Sequence, residues 1–250
     1  SDLKAIRRAG FRHVRINQFA FRHMDKNWEI APRVLDALDR VIEATVATGL
    51  IPVLDEHDVD ACQADPAGCG PKLRAFWRQI SARYNGLHPT LVYEILNEPG
   101  GRMDLGQWNA LALSVLRIVR AAEPERAVIV AALNDNDPQA LRPLDLPVED
   151  RNLILTVHYY KPFAFTHQGA PWSAELRERK GIGWGSAADR AALRADFEAI
   201  ARWADVQKRP VYLGEFGVYE AAAMPDRAAW LEAVAREAER VQQLGDFVRV

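Results

Sequence analysis

Two glutamates stand where apolar runs stop: Glu98 in "LVYEILNEPGG" (91–101) and Glu215 in "VYLGEFG" (211–217). A carboxylate at the end of a buried strand is costly unless something there uses it. Pro99 and the two glycines after it turn the chain away and pin Glu98 at the mouth of its strand. Paired carboxylates on either side of a sugar can break a glycosidic bond. One protonates the leaving oxygen, and the other attacks the anomeric carbon or activates water. Attack by the carboxylate itself requires the two groups about 5 Å apart, with their environments keeping one ionised and the other protonated. Arg15, His57, Asn97, His158 and Tyr160 also fall at or just past strand ends. Arg15 and Tyr160 are expected beside Glu215, and Glu98 beside an amide and an imidazole. Singly, each has a duller reading as a salt-bridge partner, a packed histidine or a rim aromatic. Together, on one face, they describe a site.

The elements that carry them alternate. Strand-like runs occupy 11–17, 50–57, 91–97, 126–133, 152–160 and 209–216, with a weaker one, "DFVRV", at 246–250. Helical periodicity fills 33–48, 71–84, 106–122, 188–206 and 226–244. Near-continuous apolar strands alternating with helices indicate a parallel sheet covered by helices. No glycine-rich phosphate turn follows a strand, which removes the nucleotide-binding open sheet. Polar residues gathered at strand C-termini favour a closed (β/α)8 barrel, whose active site is built on that face. A single catalytic barrel domain over 1–250 is expected. The count falls short of eight, with the first strand missing before Ser1 and the eighth-strand region abbreviated. The opening "SDLKAIRRAGF" reads as the tail of an amphipathic helix, so the natural chain is expected to begin earlier.

The 250 residues are 49% hydrophobic with a net charge of −2, enough for a substantial core and evenly mixed in sign. Such a balance suggests neither a nucleic-acid nor an anionic-membrane partner. No apolar run reaches the ~18–20 residues a membrane span needs. Both cysteines, Cys62 and Cys69, lie in the loop-like "DACQADPAGCGP". A disulfide bracing that loop, and hence an oxidising compartment, is expected over two free thiols; further ligands for a metal are lacking. Export to the periplasm or outside the cell follows from that expectation; a monomer is expected.

"YEILNEP", "HYYKPFAFTHQGAPW" and "VYLGEFG", with "GFRHVRI" and "VLDEHD" in the order of the second and third barrel strands, resemble glycoside hydrolase family 5, the cellulases and related β-glycanases. The resemblance covers nearly the whole chain. It implies a (β/α)8 fold and retention of configuration through a covalent glycosyl-enzyme, without metal or organic cofactor. By that resemblance Glu98 is the acid/base, Glu215 the nucleophile, and Asn97 the amide that binds the 2-hydroxyl of the attacked sugar. Arg15, His57, His158 and Tyr160 form the remaining polar shell. One departure is that "QQLGDFVRV" offers no match to the tryptophan expected at the end of strand eight.

Sugar clefts need aromatic faces. Trp172 and Trp184, after the sixth barrel strand, are the first candidates, and Trp28 and Phe21 the weaker ones. Trp77, Trp108, Trp203 and Trp230 sit at helical positions and are expected to pack in the core. The loop "KPFAFTHQGAPW" resembles endoglucanase-like members, so internal cleavage of β-1,4-glucan is the expected activity. Mannan and other β-glycans are the alternatives within the family. A degenerate, non-catalytic sugar-binding barrel is the alternative of another class.

Overall fold

A computed structural model describes residues 2–134 and 137–242. These hold six strands: β1 (His13–Gln18), β2 (Ile51–Glu56), β3 (Val92–Glu94), β4 (Val128–Ala131), β5 (Leu153–Tyr159) and β6 (Val211–Phe216). They follow one another in chain order through one sheet, and the registered pairs are parallel. The run "DFVRV" at 246–250 lies outside the described residues. The main helices are α1 (Asp2–Arg8), α2 (Pro32–Ala47), α3 (Val59–Ala64), α4 (Pro66–Arg83), α5 (Leu105–Ala122), α6 (Phe163–Thr166), α7 (Ala187–Gln207) and α8 (Met224–Gln242). No described helix is long and apolar enough to cross a membrane.

The chain divides into two compact units, which among the described residues are 2–134 with 144–154, and 137–143 with 155–242. In the first unit, β2 is the deepest strand. Its last five residues are all buried, which explains why its sequence shows no polar alternation. β3 is shorter than the apolar run 91–97 suggests. The following residues still bond across: Ile95 donates to the Ile129 carbonyl (3.1 Å) and Asn97 to the Glu56 carbonyl (2.9 Å). α5 starts at a reciprocal capping box, in which Asp104 accepts from the Gln107 amide and the Gln107 side chain accepts from Asp104.

The cysteine segment is helical rather than a loop. Cys62 lies in α3 and Cys69 in the opening of α4, joined by a disulfide. Gly and Pro made this stretch look irregular, yet Pro66 occupies the first turn, where a missing N–H costs nothing, and Asp65 accepts from the Gly68 amide. Pro71, further in, cannot donate to the preceding turn, a local cost within this helix.

In the second unit, α7 begins at a Ser186–Asp189 capping box, and α7 and α8 cover β5 and β6 with Phe197, Ile200, Trp203, Trp230 and Val234 buried. The four helical tryptophans are packed as their periodicity predicts, and each indole N–H also finds a carbonyl. Trp77 donates to Ile95 (2.9 Å) and Trp108 to Ala131 (2.9 Å) in the first unit. Trp203 donates to Arg142 (2.9 Å) and Trp230 to Lys161 (3.1 Å) in the second. Each ring thus fills core volume while tying its helix to the backbone of another segment.

Candidate active site

The first unit carries Arg15, His57, Asn97 and Glu98. Register explains how the first three meet. Asn17 pairs with Asp55 and Asp55 with Glu94, so these side chains form one row across β1, β2 and β3. Arg15, two residues before Asn17, projects from the same face. Its guanidinium bonds both Glu94 oxygens (2.7 and 2.9 Å), Asn97 Oδ1 (2.8 Å) and Asp55 Oδ2 (3.1 Å). A planar five-donor head suits this branching, and a lysine would not reproduce it. Glu94 and Asp55 are wholly buried. Such an arrangement holds only when complete, since removing one partner of a buried pair costs roughly 3–5 kcal/mol.

His57 completes the cluster. Its Nδ1 lies 2.5 Å from Asp55 Oδ2, and its Nε2 lies 3.4 Å from the Asn17 amide nitrogen. With Nδ1 donating to the carboxylate, Nε2 is the acceptor, so the carboxylate selects the tautomer. Burial, and then the nearby Glu94 charge, push the Asp55 carboxyl up from its usual range, while His57 and Arg15 pull it down. Because Arg15 occupies Asn97 Oδ1, the Nδ2 end of that amide is the one oriented to donate to a ligand. Glu98 follows with φ 41°, a left-handed conformation uncommon outside glycine.

Asp55 and Glu94 were missed as site residues. Each interrupts an apolar run, which was the available signal, but only the strand register shows that they serve Arg15. Glu56 was missed as well. It is fully buried; its Oε2 accepts from the Asp58 amide (3.1 Å), and its Oε1 has no hydrogen-bond partner among the described residues. Burial, and then the Asp58 charge, raise its pKa well above the usual 4.5. The folded state therefore holds this proton more tightly than the unfolded chain does. The associated stability is complete below about pH 4.5 and is lost as the pH rises above it. Glu56→Gln keeps the oxygen that Asp58 needs and cannot ionise. It is expected to leave the Tm nearly unchanged at about pH 4 and to raise it increasingly towards about pH 8. Parallel Tm–pH curves for the two proteins would contradict a buried, protonated Glu56.

The second unit carries His158, Tyr160, Glu215, Trp172 and Trp184. Register decides here too. Val157 pairs with Leu213, but His158 pairs with Glu215, so Gly214 is the extra residue of a β-bulge. The bulge turns Glu215 to the His158 side of the sheet. Only glycine fits at 214, since a Cβ there would come within 2.7 Å of Thr156 Oγ1 and 2.9 Å of His158 Nε2. Tyr160 donates its hydroxyl to Glu215 Oε2 at 2.7 Å, and His158 Nδ1 lies 3.8 Å from the same oxygen. The carboxylate is held by the Tyr160 hydroxyl with the His158 ring nearby, and its side chain is 26% exposed.

The two tryptophans differ. Trp184 is buried, with the Arg190 guanidinium 5.1 Å from its ring centroid, so its faces are largely covered. Trp172 is 67% exposed and meets Tyr219 edge-on at 5.0 Å. Its loop rests on the 219–222 segment: a Cβ at Gly169 would sit 2.5 Å from Ala221 Cβ, and Tyr219 donates its N–H to the Thr166 carbonyl at 2.8 Å. This leaves Trp172 as an open aromatic face of that loop. In the first unit Trp28 is partly exposed, and Phe21 is buried.

The profile of the cellulases, glycosyl hydrolase family 5, matches residues 1–244. This chain belongs to glycosyl hydrolase family 5. Among curated relatives, the family 5 chain is 29% identical over 235 residues to Endoglucanase H of Acetivibrio thermocellus, an alignment covering 93% of this chain and 24% of that protein. It is 24% identical to Cellodextrinase A of Ruminococcus flavefaciens, over 94% of this chain and 73% of the relative. It therefore spans about a quarter of the first and nearly three-quarters of the second. Among solved structures, Thermotoga maritima Cel5A in complex with cellobiose superposes with a TM-score of 0.92 at 34% identity, covering 98% of this chain and 80% of that one. A structure of Cel5A with mannotriose matches equally well, with a TM-score of 0.92 at 34% identity over 98% and 80% of the two chains. The fold class is accordingly that of the family's (β/α)8 barrel, to which the described residues contribute six parallel strands.

Proposed function

We propose that this family 5 chain is the single catalytic domain of a retaining endo-β-1,4-glucanase, with Glu215 as nucleophile and Glu98 as acid/base. The observation that carries the reading is the bulge at Gly214, which aims Glu215 beside His158 and under the Tyr160 hydroxyl. A nucleophilic carboxylate needs that fixed direction, since displacement at a sugar carbon demands in-line approach. In the first step a Glu215 oxygen bonds to the anomeric carbon as the glycosidic C–O bond breaks, and the leaving oxygen takes the Glu98 proton. In the second step, ionised Glu98 takes a proton from water, whose oxygen bonds to that carbon and releases Glu215. Asn97, oriented by Arg15, donates to the 2-hydroxyl. Trp172 offers a stacking face further along the chain of sugars. The chemistry requires no metal or organic cofactor.

Glucan as substrate is supported by relatives named endoglucanase and cellodextrinase and by the cellobiose complex of Cel5A. The mannotriose complex favours mannan as the second reading. The Cys62–Cys69 disulfide supports a secreted or periplasmic site of action, and a monomer needs no second copy for this chemistry. The test is product analysis on a panel of β-glucans, mannan and xylan, together with intact mass after exposure to a 2-fluoro cellobioside. Short oligosaccharides from internal cuts in β-1,4-glucan and a covalent adduct on Glu215 are expected. An unchanged mass and no released sugar would instead identify a sugar-binding barrel.

A further inference from the structure

We propose that Gln63, fixed by the Cys62–Cys69 disulfide, is a positioning residue for Glu98; this rests on the acid/base role given to Glu98 above. The segment after Glu98 is pinned from two sides, all within the first unit. Gln63 Nε2 donates to the Glu98 carbonyl at 2.9 Å, and the Gln63 carbonyl accepts from the Arg102 amide at 3.0 Å. From the other side, the Asn134 amide donates to the Pro99 carbonyl at 3.0 Å. The fit is close. A Cβ at Gly101, where φ is 63°, would lie 2.6 Å from Gln63 Cβ and 3.1 Å from its Cα. At Gly100 it would lie 2.6 Å from Asn134 Oδ1. The two glycines after Pro99 thus let the loop lie directly against α3 and residue 134, as well as allowing a turn.

What holds Gln63 is the next question. α3 has six residues, too few to be stable by helix formation alone. The residue before Gln63 is Cys62, wholly buried and covalently tied to Cys69 of α4, an 18-residue helix anchored through Trp77. The restraint therefore runs from α4 through the disulfide to the Gln63 amide and on to the peptide oxygen of Glu98. Fixing that oxygen fixes the peptide plane following a residue already in the left-handed region, and so the direction in which its Cα–Cβ bond leaves the backbone. Proton delivery to a leaving oxygen depends on such direction; a displacement of about 1 Å can cost on the order of 10²-fold.

The experiment compares kcat/KM on two aryl β-cellobiosides, one with a poor leaving group (4-methylphenyl) and one with a good one (2,4-dinitrophenyl). Gln63→Met keeps the side-chain length and removes the donor. It is expected to lose roughly 10- to 100-fold on the first substrate, with little change on the second or in binding of cellobiose. A Cys62→Ser/Cys69→Ser double variant should show the same selectivity, and it provides an independent test should one variant fold poorly. Equal losses on both substrates, or none on either, overturn the positioning role. Glu98→Ala is measured in parallel. If Glu98→Ala is selective and Gln63→Met is not, only the positioning role falls; if Glu98→Ala is itself unselective, the acid/base reading falls and takes this inference with it.

Discussion

Glu215→Ala is expected to lower turnover by on the order of 10⁶-fold, the scale seen when an enzyme loses its covalent nucleophile. A methyl group leaves nothing to bond to the anomeric carbon, while His158 and Tyr160 remain with a cavity between them. Azide is small enough to enter that space. With Glu98 still able to protonate the leaving group, azide attack from the vacated side yields a glycosyl azide of inverted configuration. Detecting that product by NMR, together with recovery of rate, assigns the nucleophile to Glu215. Unrescued loss with an unfolded circular-dichroism spectrum would reduce Glu215 to a structural carboxylate. Retained turnover would place the nucleophile elsewhere.

Glu98→Ala should divide substrates by their chemistry. General acid catalysis contributes about 10²–10⁴-fold where the departing oxygen is basic, and almost nothing where it is already a good leaving group. The expected kcat/KM therefore falls by roughly that factor on β-1,4-glucan oligosaccharides and 4-methylphenyl cellobioside. On the 2,4-dinitrophenyl substrate it stays within a few-fold of the parent. The second step also loses its base, so kcat on the activated substrate falls and the glycosyl-enzyme accumulates. A uniform loss in kcat/KM across leaving groups would contradict the acid role.

The site reads from the sequence unevenly, for physical reasons. Glu98 and Glu215 are legible because carboxylates closing apolar runs violate the local pattern of a strand. The buried Asp55 and Glu94 break their runs in the same way. Their purpose stays hidden because Arg15 is far away in sequence and only register brings them together. The cysteine segment misleads for a different reason. Glycine and proline signal a loop in most contexts, but Pro66 after the Asp65 cap is a helix start.

The chain's own pattern was enough to specify an alternating β/α order, apolar strands whose polar residues sit at their C-terminal ends, and four tryptophans placed for packing. Each of these follows from short-range periodicity and local burial preference. Tertiary structure alone decided the bulge at Gly214, the shared guanidinium of Arg15, the exposure of Trp172 against the covered Trp184, and the hold of Gln63 on the Glu98 backbone. Those depend on which strand positions face one another and, the Trp184–Arg190 contact apart, on contacts between residues tens of positions apart. No local run of residue types encodes such relations.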